Sequence, residues 1–207
     1  MLTIDLICHG APNPTIWQQH INSIHKKTTP EYISFRAKDS IGNGQALSIK
    51  FANGKRYFAR SGRDAYYRLF LNNYTLRPSC YSCRYSSMNR AGDVTLGDFW
   101  NIGKVDKQFN ADHMGVSQVH LNSDLAKKIF SEIIENIDYL EASLDDCLQP
   151  NLLHPTRKPP KYELFCKLLK ECDYSKAEMK ISSPKARLKF LVQKSGLSEL
   201  WFKVKSR

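Results

Sequence analysis

Residues 76–100 read LRPSCYSCRYSSMNRAGDVTLGDFW, and the rest of the chain takes its meaning from this stretch. Cys80 and Cys83 stand two residues apart, entered through Arg77-Pro78-Ser79. That spacing lets two thiolates reach one metal or one cluster face from a single turn. Pro78 stiffens the approach and lowers the entropy lost in presenting the pair. A short strand pattern, Val94-Thr95-Leu96, then runs between Gly92-Asp93 and Gly97-Asp98. The glycines supply permissive backbone for turns or for close approach of a ligand. Taken alone, the cysteine pair fits half a zinc site, a redox disulfide or two buried thiols, and the Gly-Asp pairs fit ordinary strand-end turns.

The combination is more specific. R-P-S-C-Y-x-C, a gap of about ten residues and G-D-V-T-L-G-D-F-W together resemble the C-terminal domain of the coenzyme F-420 hydrogenase/dehydrogenase beta-subunit family. Asp5-Leu6-Ile7-Cys8-His9-Gly10-Ala11-Pro12 is similar to that family's D-L-I-C-H-G-x-P segment, and the order and separation of the two motifs agree. Gly115-Val116-Ser117 and the region from Pro150 to Phe165 are weaker matches, so the resemblance spans most of the chain.

The composition sets bounds on the rest. The 207 residues suffice for one real core with an appendage, and 42% apolar with 11% aromatic residues is ordinary for a globular protein. No apolar run approaches the ~18 residues of a membrane span. The first seven residues lack a basic start and carry Asp5, so they do not read as a signal peptide. Six cysteines without a secretory signal read as cytosolic thiols or ligands, which places the chain in the cytoplasm. The formal net charge is +11, and Pro155 to Arg207 alone carries 14 Lys and Arg against 5 Asp and Glu. Such a basic tail is either a solvated helical face or a contact for an anionic partner or membrane surface. The remainder is close to neutral, and no specific nucleic-acid partner is expected.

The pattern predicts a mixed α/β fold, a central sheet flanked by helices, followed by a basic helical C-terminal tail. Thr3 to Ile7 reads as a strand that delivers Cys8 to a glycine turn. Asn13 and Pro14 open a helix whose apolar face is Ile16, Trp17, Ile21 and Ile24, with His20 and His25 as structural or solvent-facing residues. Tyr32 to Arg36 is a strand; Gln45 to Phe51 and Lys55 to Phe58 form a hairpin turned at Asn53-Gly54. Gly42-Asn43-Gly44 reads as a loop without phosphate-binding context. Asp64 to Leu71 is a short helix with an apolar stripe at Tyr66, Tyr67, Phe70 and Leu71. The stretch from Lys104 to Met114 is loop-like and strand character returns at Gly115 to Leu121. Ser123 and Asp124 begin the clearest amphipathic helix, with Leu125, Ile129, Ile133 and Ile137 on one face, a packing element. Four prolines make Pro150 to Pro160 an extended, exposed connector, and Tyr162 to Leu169 and Pro184 to Lys194 read as short basic helices. The domain division expected is 1–150 for the α/β domain and 151–207 for connector and tail.

Among the cysteines, Cys147, Cys166 and Cys172 read as ordinary thiols, leaving Cys8, Cys80 and Cys83 as metal ligands. A 4Fe-4S cluster usually takes four thiolates. The resemblance implies an iron–sulfur flavoprotein that passes electrons between clusters and FAD, with F-420 as the hydride acceptor in archaeal relatives. It further implies that this chain corresponds to the C-terminal two-thirds of a family member, lacking a ferredoxin-like part. The fourth ligand then comes from that missing segment, from a partner chain or from His9. By motif match, Gly97, Asp98, Phe99 and Trp100 line the cluster–flavin region. Arg36 and Lys38, in a segment similar to the family's F-R-x-K, are either cofactor contacts or a surface pair. The implied partner is a ferredoxin or sister subunit. The alternatives are a binding protein with a structural zinc at Cys8, Cys80 and Cys83, or a relative that keeps the fold without metal.

Overall fold

The structure, a computed structural model, describes residues 1–25, 27–39, 42–112 and 114–188. In chain order the elements are β1 (Ile4–Leu6), α1 (Pro14–Ile24), β2 (Pro30–Asp39), β3 (Gly42–Phe51), β4 (Arg56–Arg60) and α2 (Ala65–Leu71). There follow β5 (Val94–Asp98), α3 (Ile102–Val105), β6 (Ser117–Leu121), α4 (Asp124–Ile133), α5 (Leu144–Cys147), α6 (Pro150–Leu153), α7 (Tyr162–Glu171) and α8 (Tyr174–Ile181). The fold is mixed α/β. The strands do not join one central sheet but form two sheets of three, ordered β1-β5-β6 and β2-β3-β4.

Two compact units divide the chain, each gathered from distant segments. The first comprises Met1–Ala11, Asp39–Gly44 and Arg77–Arg157. In it β1 pairs in parallel with β5, Asp5 opposite Thr95, and β5 pairs antiparallel with β6, Thr95 opposite His120 and Gly97 opposite Gln118. One sheet therefore carries both motifs, because the strand of the Asp5-Leu6 motif lies beside the strand of the Gly92–Trp100 motif.

α4 begins as the sequence predicts. The Ser123 hydroxyl accepts the Ala126 N–H at 3.2 Å, an N-cap that satisfies one free donor of the first turn. Its role differs from expectation: only Ala126 is buried, while Leu125 and Ile133 are 41% and 45% exposed. The helix also stops at Ile133, passing through a 3-10 turn, Ile134–Asn136. The Lys104–Met114 region is not wholly loop, since α3 and a 3-10 turn, Gln108–Asn110, interrupt it.

The proline-rich connector also departs from the expected exposed form. Pro150 occupies the first position of α6, where its missing N–H costs nothing. Asn151, Leu152 and Thr156 are buried.

The second unit comprises Pro12–Lys38, Gln45–Leu76 and the chain from Lys158. β3 and β4 form the predicted hairpin, Ser48 opposite Phe58, and Gly54 adopts a positive φ of 80° that its turn requires. β3 reaches back to Gly42, so the predicted Gly42-Asn43-Gly44 loop is strand. Ile21 of α1 packs with Leu47, Ile49 and Phe51 of β3 and with Tyr67 of α2.

A second cluster joins Ile16, Tyr66 and Leu69 to Phe165 and Leu168 of α7 and Ala177 and Ile181 of α8. The basic C-terminal helices fold by lending their apolar stripes to this core, and their lysines face solvent. The predicted helix from Pro184 to Lys194 lies in part outside the described residues.

His20, 2% exposed, is a core histidine. Its Nδ1 is 2.7 Å from the Tyr174 hydroxyl and its Nε2 is 3.3 Å from the Asp64 carboxylate, which also accepts the Tyr57 hydroxyl at 2.7 Å. Burial lowers the His20 pKa, against the opposing pull of Asp64. Burial, with Asp64 adding to it, raises the Tyr66 pKa to about 12.

Candidate functional site

The C-x-x-C pair sits on a 3-10 turn, Pro78–Ser82, with Pro78 at its first position. The Cys80 N–H donates to the Arg77 carbonyl at 2.9 Å, which closes the turn. Two bonds tie this turn to the Cys8 loop: the Arg77 N–H donates to the Ala11 carbonyl at 2.9 Å, and the Ala11 N–H points at Cys80 Sγ at 3.3 Å. Cys80 and Cys83 are half-buried. Cys8 is exposed and follows directly on β1, whose pairing extends through an Ile7 N–H bond to the Leu96 carbonyl at 2.8 Å.

The structure thus brings Cys80 against the loop that carries Cys8. It does not bring three ligands together: among the described residues no group of three or more His, Cys, Asp or Glu side chains is placed to hold a metal ion. The arrangement fits one side of a cluster site and does not by itself fit a closed one.

Much of the two motifs does structural work. The Asp5 carboxylate accepts the Thr95 hydroxyl at 2.6 Å, the Gly92 N–H at 3.0 Å and Arg90 Nη2 at 2.9 Å. Burial opposes its charge, but the bonds from Thr95, Arg90 and Gly92 outweigh burial and hold its carboxyl below the usual range. Arg90 also donates to the carbonyls of Tyr85 and Leu6, at 2.6 and 3.0 Å, and so pins the loop after Cys83 to β1. Gly92 has no room for a side chain, since a Cβ there would lie 2.8 Å from the Asp5 nitrogen.

Asp93 accepts from the Thr3 and Ser123 hydroxyls at 2.6 and 2.7 Å. Those bonds pull its carboxyl down to about 2.

The flavin-region residues divide. A Cβ on Gly97 would lie 2.6 Å from Ile7 Cδ1, so the space beside this glycine is filled by a neighbour of Cys8. Phe99 is buried and its N–H donates to the Val116 carbonyl at 2.8 Å. Asp98 and Trp100 are exposed at the end of β5. Arg36 and Lys38 belong to the second unit, two residues apart and both exposed on β2.

Sequence reasoning missed the strap from Asp146 to Thr156. Gln149 donates to the Asp98 carbonyl at 3.3 Å, Asn101 donates to the Asp146 carbonyl at 2.9 Å, and the Thr156 hydroxyl donates to the His9 carbonyl at 2.5 Å. A polar residue among prolines gives no local sign of this burial; only the tertiary contact reveals it. All six cysteines are free thiols: burial, helped by Asp146, raises the Cys147 pKa, and Cys172 Sγ donates to the Leu168 carbonyl at 3.3 Å.

The family described as the C terminus of the beta subunit of coenzyme F-420 hydrogenase/dehydrogenase matches residues 1–146. This chain belongs to that family. The match takes in both motif strands, the C-x-x-C turn and all six strands of the fold, and it leaves out α6, α7 and α8. No curated protein and no solved structure matches the chain.

Proposed function

We propose that this beta-subunit domain is the cofactor-handling part of an oxidoreductase or electron-transfer subunit, and that Cys8, Cys80 and Cys83 are its share of an iron–sulfur cluster. The observation that carries the reading is the Ala11 N–H pointing at Cys80 Sγ at 3.3 Å. Hydrogen bonds to the sulfurs are among the contacts that set the potential of a thiolate-held cluster, and the Ala11 N–H supplies one. The family assignment adds support, because a beta subunit works in an assembly whose other chains supply what it lacks.

The described ligands stop short of four, so the set is completed by His9, by a sister subunit or by a ferredoxin-like polypeptide. A bound cluster transfers single electrons, and FAD would gather them into pairs for hydride transfer. In the first unit the residues open to a flavin are Asp98 and Trp100. On the second unit, Arg36 and Lys38 are exposed cations of the kind that suit an anionic cofactor. The Arg77–Ala11 bond and the Thr156–His9 bond both fix the backbone that follows Cys8, so that stretch is held before any cofactor arrives. The cytoplasm, where thiols stay reduced, suits this chemistry.

Anaerobic purification with iron, sulfide and flavin analysis tests the proposal. Iron and acid-labile sulfide in equal amounts, about four of each per cluster, with a flavin spectrum are expected. Stoichiometric zinc without sulfide would overturn it in favour of a structural metal site.

A further inference from the structure

One buried titratable group takes no part in the cysteine site. His20 of α1 lies in the second unit inside a cage of aromatic rings. Tyr66 of α2 stacks on it at 5.2 Å between centroids, and Trp17 lies at 5.6 Å. Tyr57 of β4 and Tyr174 of α8 stand edge-on at 6.0 and 5.7 Å. Both ring nitrogens face polar groups. Nε2 is 3.3 Å from the Asp64 carboxylate, which fixes the proton of the neutral ring on that nitrogen. Nδ1 is then the acceptor, and the Tyr174 hydroxyl donates to it at 2.7 Å.

This arrangement suits the neutral ring. A second proton must land on Nδ1, which turns from acceptor to donor. The Tyr174 hydroxyl then has to send its own proton to Ser23 Oγ, at 3.2 Å a longer contact. Asp64 is the counter-charge beside the ring, but its oxygens already hold the Tyr57 hydroxyl and the Tyr67 N–H, each at 2.7 Å. Among the described residues Nε2 has no hydrogen-bond partner of good geometry. Burial therefore outweighs Asp64 and keeps the ring neutral. The cation costs less wherever water can reach it.

Of the elements around His20, α8 is the one placed to leave. Its eight residues are too few to hold a helix unsupported, so it depends on its docking. Tyr174, the Arg68–Glu178 pair at 2.7 Å, and Ala177 and Ile181 packed with Ile16, Tyr66 and Leu69 provide that docking. Asp173 is spent at the start of the helix, where it accepts the Lys176 N–H at 3.0 Å. The other core of the unit, built from Ile21, Leu47, Ile49, Phe51 and Tyr67, uses no residue of α8 and stays closed without it.

We infer that His20 and Tyr174 form a proton-operated latch: α8 stays docked on α1 and α2 while His20 is neutral and releases when His20 takes up a proton. The docked state is the one with the lowered pKa, so docking is fully favoured above pH 6.5 and weakens as pH falls below it. The latch needs neither the cysteines nor a metal.

Hydrogen exchange read by mass spectrometry on the full chain tests it, at pH 7.5 and pH 5.5, with rates corrected for the intrinsic pH dependence of exchange. Protection of Tyr174–Ile181 is expected to fall by at least about threefold at the lower pH, while β3 in the same unit keeps its protection. His20→Gln should give α8 the same protection at both pH values. Tyr174→Phe, which keeps the ring and removes the hydroxyl, should lower the protection of α8 already at pH 7.5. Equal protection of α8 at the two pH values in the unaltered chain would overturn the inference. So would a fall shared equally by β3, which is loss of the whole unit, or a fall that persists in His20→Gln. The comparison of α8 with β3 in the unaltered chain decides even where His20→Gln fails to fold.

Discussion

Asp5 accepts four hydrogen bonds, two from Arg90 and one each from Thr95 and Gly92. Arg90 is the costlier partner to lose, because its side chain is 6% exposed and Asp5, 24% exposed, keeps only the Thr95 and Gly92 bonds without it. Arg90→Ala is expected to destabilise the chain by about 1–3 kcal/mol, measured by denaturant unfolding. Gly92→Ala should cost about 1–3 kcal/mol, since its Cβ meets backbone that cannot swing aside. Gly97→Ala should cost less, because the obstacle is the end of the Ile7 side chain.

Protonation acts on stability with two signs at this scale. Asp5 and Asp93 have folded pKa values below 3.8, so their contribution is present above that pH and is lost as pH falls through the folded values, about 2 for Asp93. His20 has its pKa lowered below 6.5, so the unfolded chain takes the proton more readily. Its contribution is present above pH 6.5 and declines below it. The thermal midpoint should therefore fall between about pH 8 and pH 5, and His20→Gln should flatten that slope. A slope unchanged by His20→Gln would remove the histidine from this role.

At the scale of elements, helices with caps and hairpins with Asn-Gly turns were legible because their signals are local. Asn13, Asp64 and Ser123 each accept a hydrogen bond from the first turn that follows them. Ser123 has a second duty, donating to Asp93 at 2.7 Å, so Ser123→Ala should cost about 1–2 kcal/mol, at the upper end for a cap. What the sequence does not disclose is which apolar stripes find partners. α4 has the pattern of a packing helix yet buries little, whereas α7 and α8, read as polar tail, complete a core. Periodicity fixes the face of a helix but not the neighbour that covers it. The 146–156 strap was illegible for a related reason: its buried bonds go to carbonyls of residues far away in sequence. Thr156→Val keeps the shape and removes the donor to His9. It should destabilise the chain by about 1 kcal/mol, read as a lower denaturant midpoint with an unchanged slope.

For the whole molecule, the motifs that identified the family turn out to have two kinds of member. Asp5, Gly92, Asp93, Thr95 and Gly97 build and space the β1-β5-β6 sheet, and their side chains or missing side chains are used up in that task. Cys8, Cys80, Cys83, Asp98 and Trp100 stand toward its end, none of them fully buried. Spacing alone could not separate these groups, because a glycine required by a neighbouring isoleucine and one required by a ligand read alike in sequence. The account turns chemically on Cys8, Cys80 and Cys83 sharing one cluster.

Its most direct test is the iron content of single Cys→Ser variants purified anaerobically alongside whatever co-purifies. Serine at Cys8, Cys80 or Cys83 should each strip most of the iron, while serine at Cys147, Cys166 or Cys172 should leave it in place. Iron retained in Cys8→Ser, or lost with equal ease from the three control positions, would contradict the account.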